Sequence, residues 1–150
     1  MRNVIFIVLF ISYLSHSQVN SEFIIDSLEK KLPKIETEKE KIDILNQIAY
    51  EYKFIDPKKN LDNATKALEF AKKINYLDGI INAKRNLGYF YLISSDYKQA
   101  QDNFNYIIKN TKDNSKIGLS YSGLGIIEAK QSNYPEALKL YFKGLKFAEN

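Results

Sequence analysis

A short phrase occurs three times in this chain, and its spacing limits the fold more than any other feature. Asn60-Leu61-x2-Ala64-x3-Leu68 returns as Asp96-Tyr97-x2-Ala100-x3-Phe104 and as Asn133-Tyr134-x2-Ala137-x3-Tyr141, at steps of 36 and 37 residues. A second phrase precedes each: Leu45-x2-Ile48-Ala49-x2-Tyr52, then Lys84-x2-Leu87-Gly88-x2-Tyr91, then Tyr121-x2-Leu124-Gly125-x2-Glu128. Both phrases place small and apolar residues three or four apart, which is the period of a helix. One such helix pair cannot bury its own apolar face, so neighbouring pairs must stack and share a core. A stacked array displays a long continuous face, which points to binding rather than to chemistry.

The spacing predicts seven helices and no strand. Ile24, Leu28 and Leu32 form a short leading stripe closed by Pro33. Thr37-Glu38-Lys39-Glu40 has the form of a capping box, and Ile42, Leu45, Ile48, Ala49 and Tyr52 continue the apolar face behind it. Asp56-Pro57 reads as a cap with proline at the first helical position, followed by Ala64, Ala67, Leu68 and Ala71. The linker between the two phrases is three residues longer here than in the later repeats, and the extra length is expected in the turn. Asn75 to Gly79 reads as the next turn, ahead of a helix from about Ile80 to Ile93. Asp96 caps a helix to about Lys109, and Lys112 to Ser115 forms another turn. Helices from about Lys116 to Gln131 and from Tyr134 to Ala148, the latter capped by Asn133, complete the set.

Gly88 and Gly125 fall inside helices, where glycine costs roughly 1 kcal/mol against alanine. A close crossing of the paired helix would offset that cost, with Ala64, Ala100 and Ala137 as the opposing small residues. Ala49 is the matching residue of the first repeat.

These residues resemble the tetratricopeptide repeat (TPR) family over residues 42–148, with its small, large and aromatic pattern. Leu45, Lys84 and Tyr121 stand at the family's tryptophan-like place, Glu128 replaces its tyrosine, and its repeat-ending proline has no counterpart. The resemblance implies an all-α, right-handed superhelical solenoid of antiparallel helix pairs, about three repeats plus an N-terminal helix. It also implies a non-catalytic protein- or peptide-binding module whose first helices line a concave groove. Carried over position by position, that groove holds Asp43, Asn46, Tyr50, Lys53, Asn82, Arg85, Tyr89, Leu92, Ser122, Ile126 and Lys130, with Tyr50, Arg85 and Tyr89 the leading anchors. Tyr52, Tyr91 and Tyr97 are expected to fill the core instead. Asn86 matches one place of the family's carboxylate clamp, but Tyr50, Leu119 and Gly123 occupy others, so that specificity is not expected.

The N-terminus adds a localisation. Arg2, an apolar run from Val4 to Leu14 and then Ser15-His16-Ser17 have the order of a secretory signal cut ahead of Gln18, giving residues 1–17 as signal and 18–150 as the repeat domain. The run is too short for the ~20 residues of a spanning helix. An exported leader ahead of such repeats is similar to the front end of bacterial signalling proteins such as sensor histidine kinases. That implies an extracytoplasmic sensory or scaffolding part, periplasmic or secreted, membrane-tethered if a longer chain follows. A free-standing adaptor for envelope assembly is the alternative. Leu138, Leu140, Tyr141, Phe142, Leu145 and Phe147 crowd the last helix, whose apolar face calls for a cover: more chain, a partner, or self-association through that helix.

Composition narrows the chemistry. Without residues 1–17 the chain has 21 basic and 18 acidic residues, net +3, and neither His nor Cys. Imidazole and thiol catalysis and zinc sites of nitrogen or sulfur ligands are excluded. No metal and no cofactor is expected. Asp26 and Glu29 have only helical surface spacing, so no enzyme is expected, and the weak, dispersed charge argues against nucleic acid as a partner.

Overall fold

The structure, a computed structural model, describes residues 21–149; the expected signal at 1–17 lies outside them. Among the described residues the chain is all α, with no strand. Residues 21–31 form α1, followed by a 3-10 turn at Leu32–Lys34. Then come α2 (Glu38–Tyr52), α3 (Pro57–Lys73), α4 (Leu77–Ile93), α5 (Tyr97–Asn110), α6 (Asn114–Lys130) and α7 (Tyr134–Ala148). Each of the helices from α2 to α7 packs on the next, and α2 also touches α4 as α4 touches α6.

Most of the expected caps form. Thr37 Oγ1 accepts from Glu40 N at 3.3 Å, Asp56 from Lys59 N at 3.1 Å with Pro57 opening α3, and Asp96 from Gln99 N at 3.2 Å. Each satisfies an N–H that the helix itself leaves unpaired. Asn133 sits at the start of α7, but its amide donates to the Glu128 carboxylate at 2.7 Å instead of capping. Glu128, at the place of the missing tyrosine, thus ties α6 to the turn.

Three details differ from expectation, although α3 begins at Pro57 as its Asp56-Pro57 cap implies. The longer linker of the first repeat does not simply lengthen the turn: α3 begins one turn ahead of Asn60, the residue matching Asp96 and Asn133. Asn60 is therefore inside the helix, fully buried, and donates to Ala49 O at 2.6 Å. α4 begins at Leu77, so Gly79 is helical; the reversal is made by Asn75, at φ 55°. Tyr76 N donates to Ala71 O at 2.8 Å and Asn75 N to Lys72 O at 3.2 Å, the paired bonds of a Schellman turn. In the leading helix Ile25, not Ile24, is the buried residue, packing with Leu28, Leu32 and Ile35 on Ile44, Ile48 and Tyr52 of α2.

The core runs from α2 to α6. Ile42, Leu45, Ala67, Ala71 and Ala83 join α2, α3 and α4; Ala49, Ala64 and Leu87 continue it; Ile81, Leu92, Ala100, Phe104, Ile107 and Ile127 join α4, α5 and α6. The helical glycines fit close contacts, but a bulky ring rather than an opposing alanine fills the space. A Cβ on Gly88 would lie 2.9 Å from Phe104 Cε1, and one on Gly125 2.6 Å from Tyr141 Cε1. In the first repeat Leu68 replaces the ring and packs beside Ala49 and Ala64, so a smaller partner goes with room for a methyl group.

Candidate functional site

Contact of α2 with α4 and of α4 with α6 sets one face of the first helices side by side. Between α2 and α4 lies an open groove of about 510 Å³. Asp43, Asn46, Tyr50 and Lys53 line it from α2 or the turn just after it, and Asn82, Arg85 and Tyr89 from α4. These seven, carried over from the family resemblance, come together. Gln47, Glu51 and Leu119 line the groove as well. Leu119 occupies the place in its repeat that Asp43 and Asn82 occupy in theirs, so the same period extended by one position reaches it.

The other expected residues are placed elsewhere. Leu92 is buried in the α4–α5–α6 core and Ile126 packs against that core. Ser122 donates to Gly118 O at 3.1 Å and lines a second groove with Leu119, Leu138, Tyr141, Phe142 and Leu145. Lys130 is exposed at the end of α6. The repeats are not equivalent here because Leu92 and Ala129 stand where the first repeat has Lys53, and an apolar residue at that place turns inward or stays small.

Within the groove the polar groups differ in availability. Asn46 is 3% exposed; its amide donates to Gly79 O at 3.1 Å, and its own carbonyl accepts from Asn86 at 2.8 Å. It ties α2 to α4 and is not free to grip a ligand. Asp43 accepts from the Tyr76 hydroxyl at 3.1 Å. Burial, the hydrogen bond to Asp43 and the nearby negative charges push the Tyr76 phenol up to about 12.

Tyr50, Arg85 and Lys53 form the accessible part. The Lys53 ammonium lies over three rings, 4.3 Å from the centroid of Tyr50, 4.6 Å from Phe54 and 4.7 Å from Tyr89. The Arg85 guanidinium carbon lies 5.4 Å from the Tyr50 centroid. Ring quadrupoles attract both cations, and Tyr89 is held edge-on against the buried Phe104, 5.5 Å between centroids. Burial lowers the affinity of Lys53 for its proton; the Arg85 charge lowers it further, and Glu51 opposes the change. Burial also raises the Tyr89 phenol, against the pull of Arg85. The groove is thus an aromatic bed with two cations in it.

Among the described residues no three His, Cys, Asp or Glu side chains gather as a metal-holding group. No described helix is long and apolar enough to cross a membrane. No family model, no curated protein and no solved structure matches the chain.

Proposed function

We propose that the chain is a non-catalytic TPR-like repeat module, a right-handed solenoid of helix pairs that binds a protein or peptide segment along its first helices. The observation that carries this reading is the convergence of Tyr50, Lys53, Arg85 and Tyr89, from two repeats, on one open groove. Rigid aromatic rings and an arginine are the side chains that contribute most to protein recognition. The groove is open rather than enclosed, as an extended or helical segment requires.

In this reading the module is the extracytoplasmic sensory or scaffolding part of a bacterial signalling protein, exported by residues 1–17. The free-standing adaptor is the second reading, and self-association through α7 belongs to either. The exposed Leu138, Phe142 and Leu145 favour a covered α7 face in both cases.

Affinity capture from the native source, with the full chain against its Tyr50→Ser/Tyr89→Ser variant, tests the binding function. A partner retained by the parent and reduced at least tenfold by the variant supports it; equal recovery overturns the groove as the binding surface. The intact mass of the native protein separates the two contexts. A species of about 15 kDa, the size left after signal removal, means an adaptor, and a much larger one a signalling protein.

A further inference from the structure

Of the 22 basic residues only Arg2 and Arg85 are arginine, and Arg85 stands in the groove. Its Nε is buried and has no hydrogen-bond partner among the described residues. Six ion pairs form among the described residues, all of them made by lysines, and none involves Arg85 or Lys53. A guanidinium offers five N–H donors in a fixed fork that fits a carboxylate with two parallel bonds, which an ammonium cannot do. Arg85 and Lys53 stand near the same Tyr50 ring, and the Arg85 charge opposes the charged form of Lys53. A bound anion between them would offset that repulsion.

We propose that the groove takes an acidic segment of a partner protein and seats one Asp or Glu carboxylate between Arg85 and Lys53. This deepens the peptide-binding reading above and rests on it. The flanking Tyr50 and Tyr89 rings cover the aliphatic stem of the docked side chain. Two acidic residues of the groove set the charge of the guest. Asp43 is engaged by Tyr76, and Glu51 lies close enough to Lys53 to favour its charged form. With Asp43 and Glu51 against Lys53 and Arg85, the lining is neutral in sum. Glu51 repels either guest, and a phosphoryl dianion about twice as strongly as a singly charged carboxylate. Seating the carboxylate also favours the ammonium form of Lys53, which burial and Arg85 oppose in the free protein.

The test uses the full chain and three pools of acetylated, amidated heptapeptides with randomised flanks and a central Glu, Gln or phosphoserine. Binding is followed on the backbone amides of the groove and on the arginine Nε–Hε resonance, which the Arg85→Lys variant assigns. The expected result is a shift of the Arg85 resonance by the Glu pool and at least tenfold tighter binding of that pool than of the Gln pool. In Arg85→Gln the difference between the Glu and Gln pools should fall below twofold. Lys53→Met supplies the same comparison if Arg85→Gln does not fold, and should lower the Glu preference at least threefold. Equal binding of the Glu and Gln pools in the groove would overturn the carboxylate seat and leave peptide binding standing. Tighter binding of the phosphoserine pool than the Glu pool would overturn it in favour of a phosphate. No perturbation of groove amides by any pool would count against both the seat and the peptide-binding reading.

Discussion

Phe104 touches two glycines from different repeats: a Cβ on Gly88 would lie 2.9 Å from its ring and one on Gly123 2.6 Å. The ring is 1% exposed and meets Tyr89 edge-on, so it has no room to withdraw. Replacing Gly88 with alanine gains roughly 1 kcal/mol of helix propensity but overpacks a fixed ring, at a cost of about 1–3 kcal/mol. Gly88→Ala is therefore expected to destabilise by about 1 kcal/mol net. In a Phe104→Leu background, which copies the Leu68 and Ala49 pairing of the first repeat, the same change should become neutral or stabilising. Urea unfolding of the four proteins of this cycle checks it. The ring of Tyr141, at 36% exposure, can swing toward solvent, so Gly125→Ala should cost less than Gly88→Ala in the same assay.

A second residue-scale expectation concerns pH. The neutral Tyr76 phenol donates to Asp43; once ionised, it would repel that carboxylate. Its proton is held to about 12 in the fold and to an ordinary 10 in the unfolded chain. The unfolded state thus loses this proton first. The bond contributes fully below pH 10, and its contribution is lost as pH rises from 10 toward 12. Urea midpoints should therefore fall over that interval more steeply in the parent than in Tyr76→Phe. Parallel curves for the two proteins would show that the Tyr76 bond adds nothing.

At the scale of elements, the turns show why some boundaries were legible and others were not. Asp56-Pro57, Thr37 and Asp96 cap their helices through local side-chain chemistry, and a sequence displays such chemistry directly. The reversals after α3, α4 and α6 use Asn75, Ser95 and Ser132 at φ 55°, 63° and 64°, where glycine is the usual residue. The turn expected over Asn75 to Gly79 is therefore shorter, and α4 begins at Leu77, three residues before the expected Ile80. Gly79 serves packing instead: a Cβ there would lie 2.7 Å from Ile42 Cγ2. The same turns carry a prediction. A serine held in the left-handed region costs about 1–2 kcal/mol, partly offset by the larger entropy that glycine loses on folding. Ser95→Gly and Ser132→Gly should each stabilise by about 0.5–1 kcal/mol, read as a higher urea midpoint. Unchanged or lower midpoints would mean that the serine hydroxyls contribute more to these turns than the backbone cost.

For the whole molecule, the apolar spacing along the chain predicts seven helices, the repeat period predicts the pairing of neighbours, and the family resemblance implies a groove of residues from α2 and α4. None of these predicts how the face divides. Asn46 is a groove residue by the family carry-over, yet its amide is used to join α2 to α4; Leu92 and Ile126 come from the same carry-over and turn to the core because they are apolar. Only contacts between repeats decide such cases, and one repeat's sequence does not contain them. The α7 face carries its own expectation. Leu138, Phe142 and Leu145 are 55%, 63% and 53% exposed on one helix, and burying them would gain on the order of 1 kcal/mol each. Sedimentation should show mass rising with concentration for the full chain and monomer for Phe142→Asp/Leu145→Asp. A monomer at all concentrations in both would remove self-association from the account.

The face of the first helices as the binding surface is the central claim, and site-specific photo-crosslinking in the native host tests it most directly. A photoreactive phenylalanine placed at Tyr50, Asn82 or Tyr89 should capture one discrete partner, while the exposed Lys66 and Asn105 positions on the second helices of their pairs should not. Capture from Lys66 or Asn105 and none from the groove would contradict the account and move the binding surface to the opposite helices.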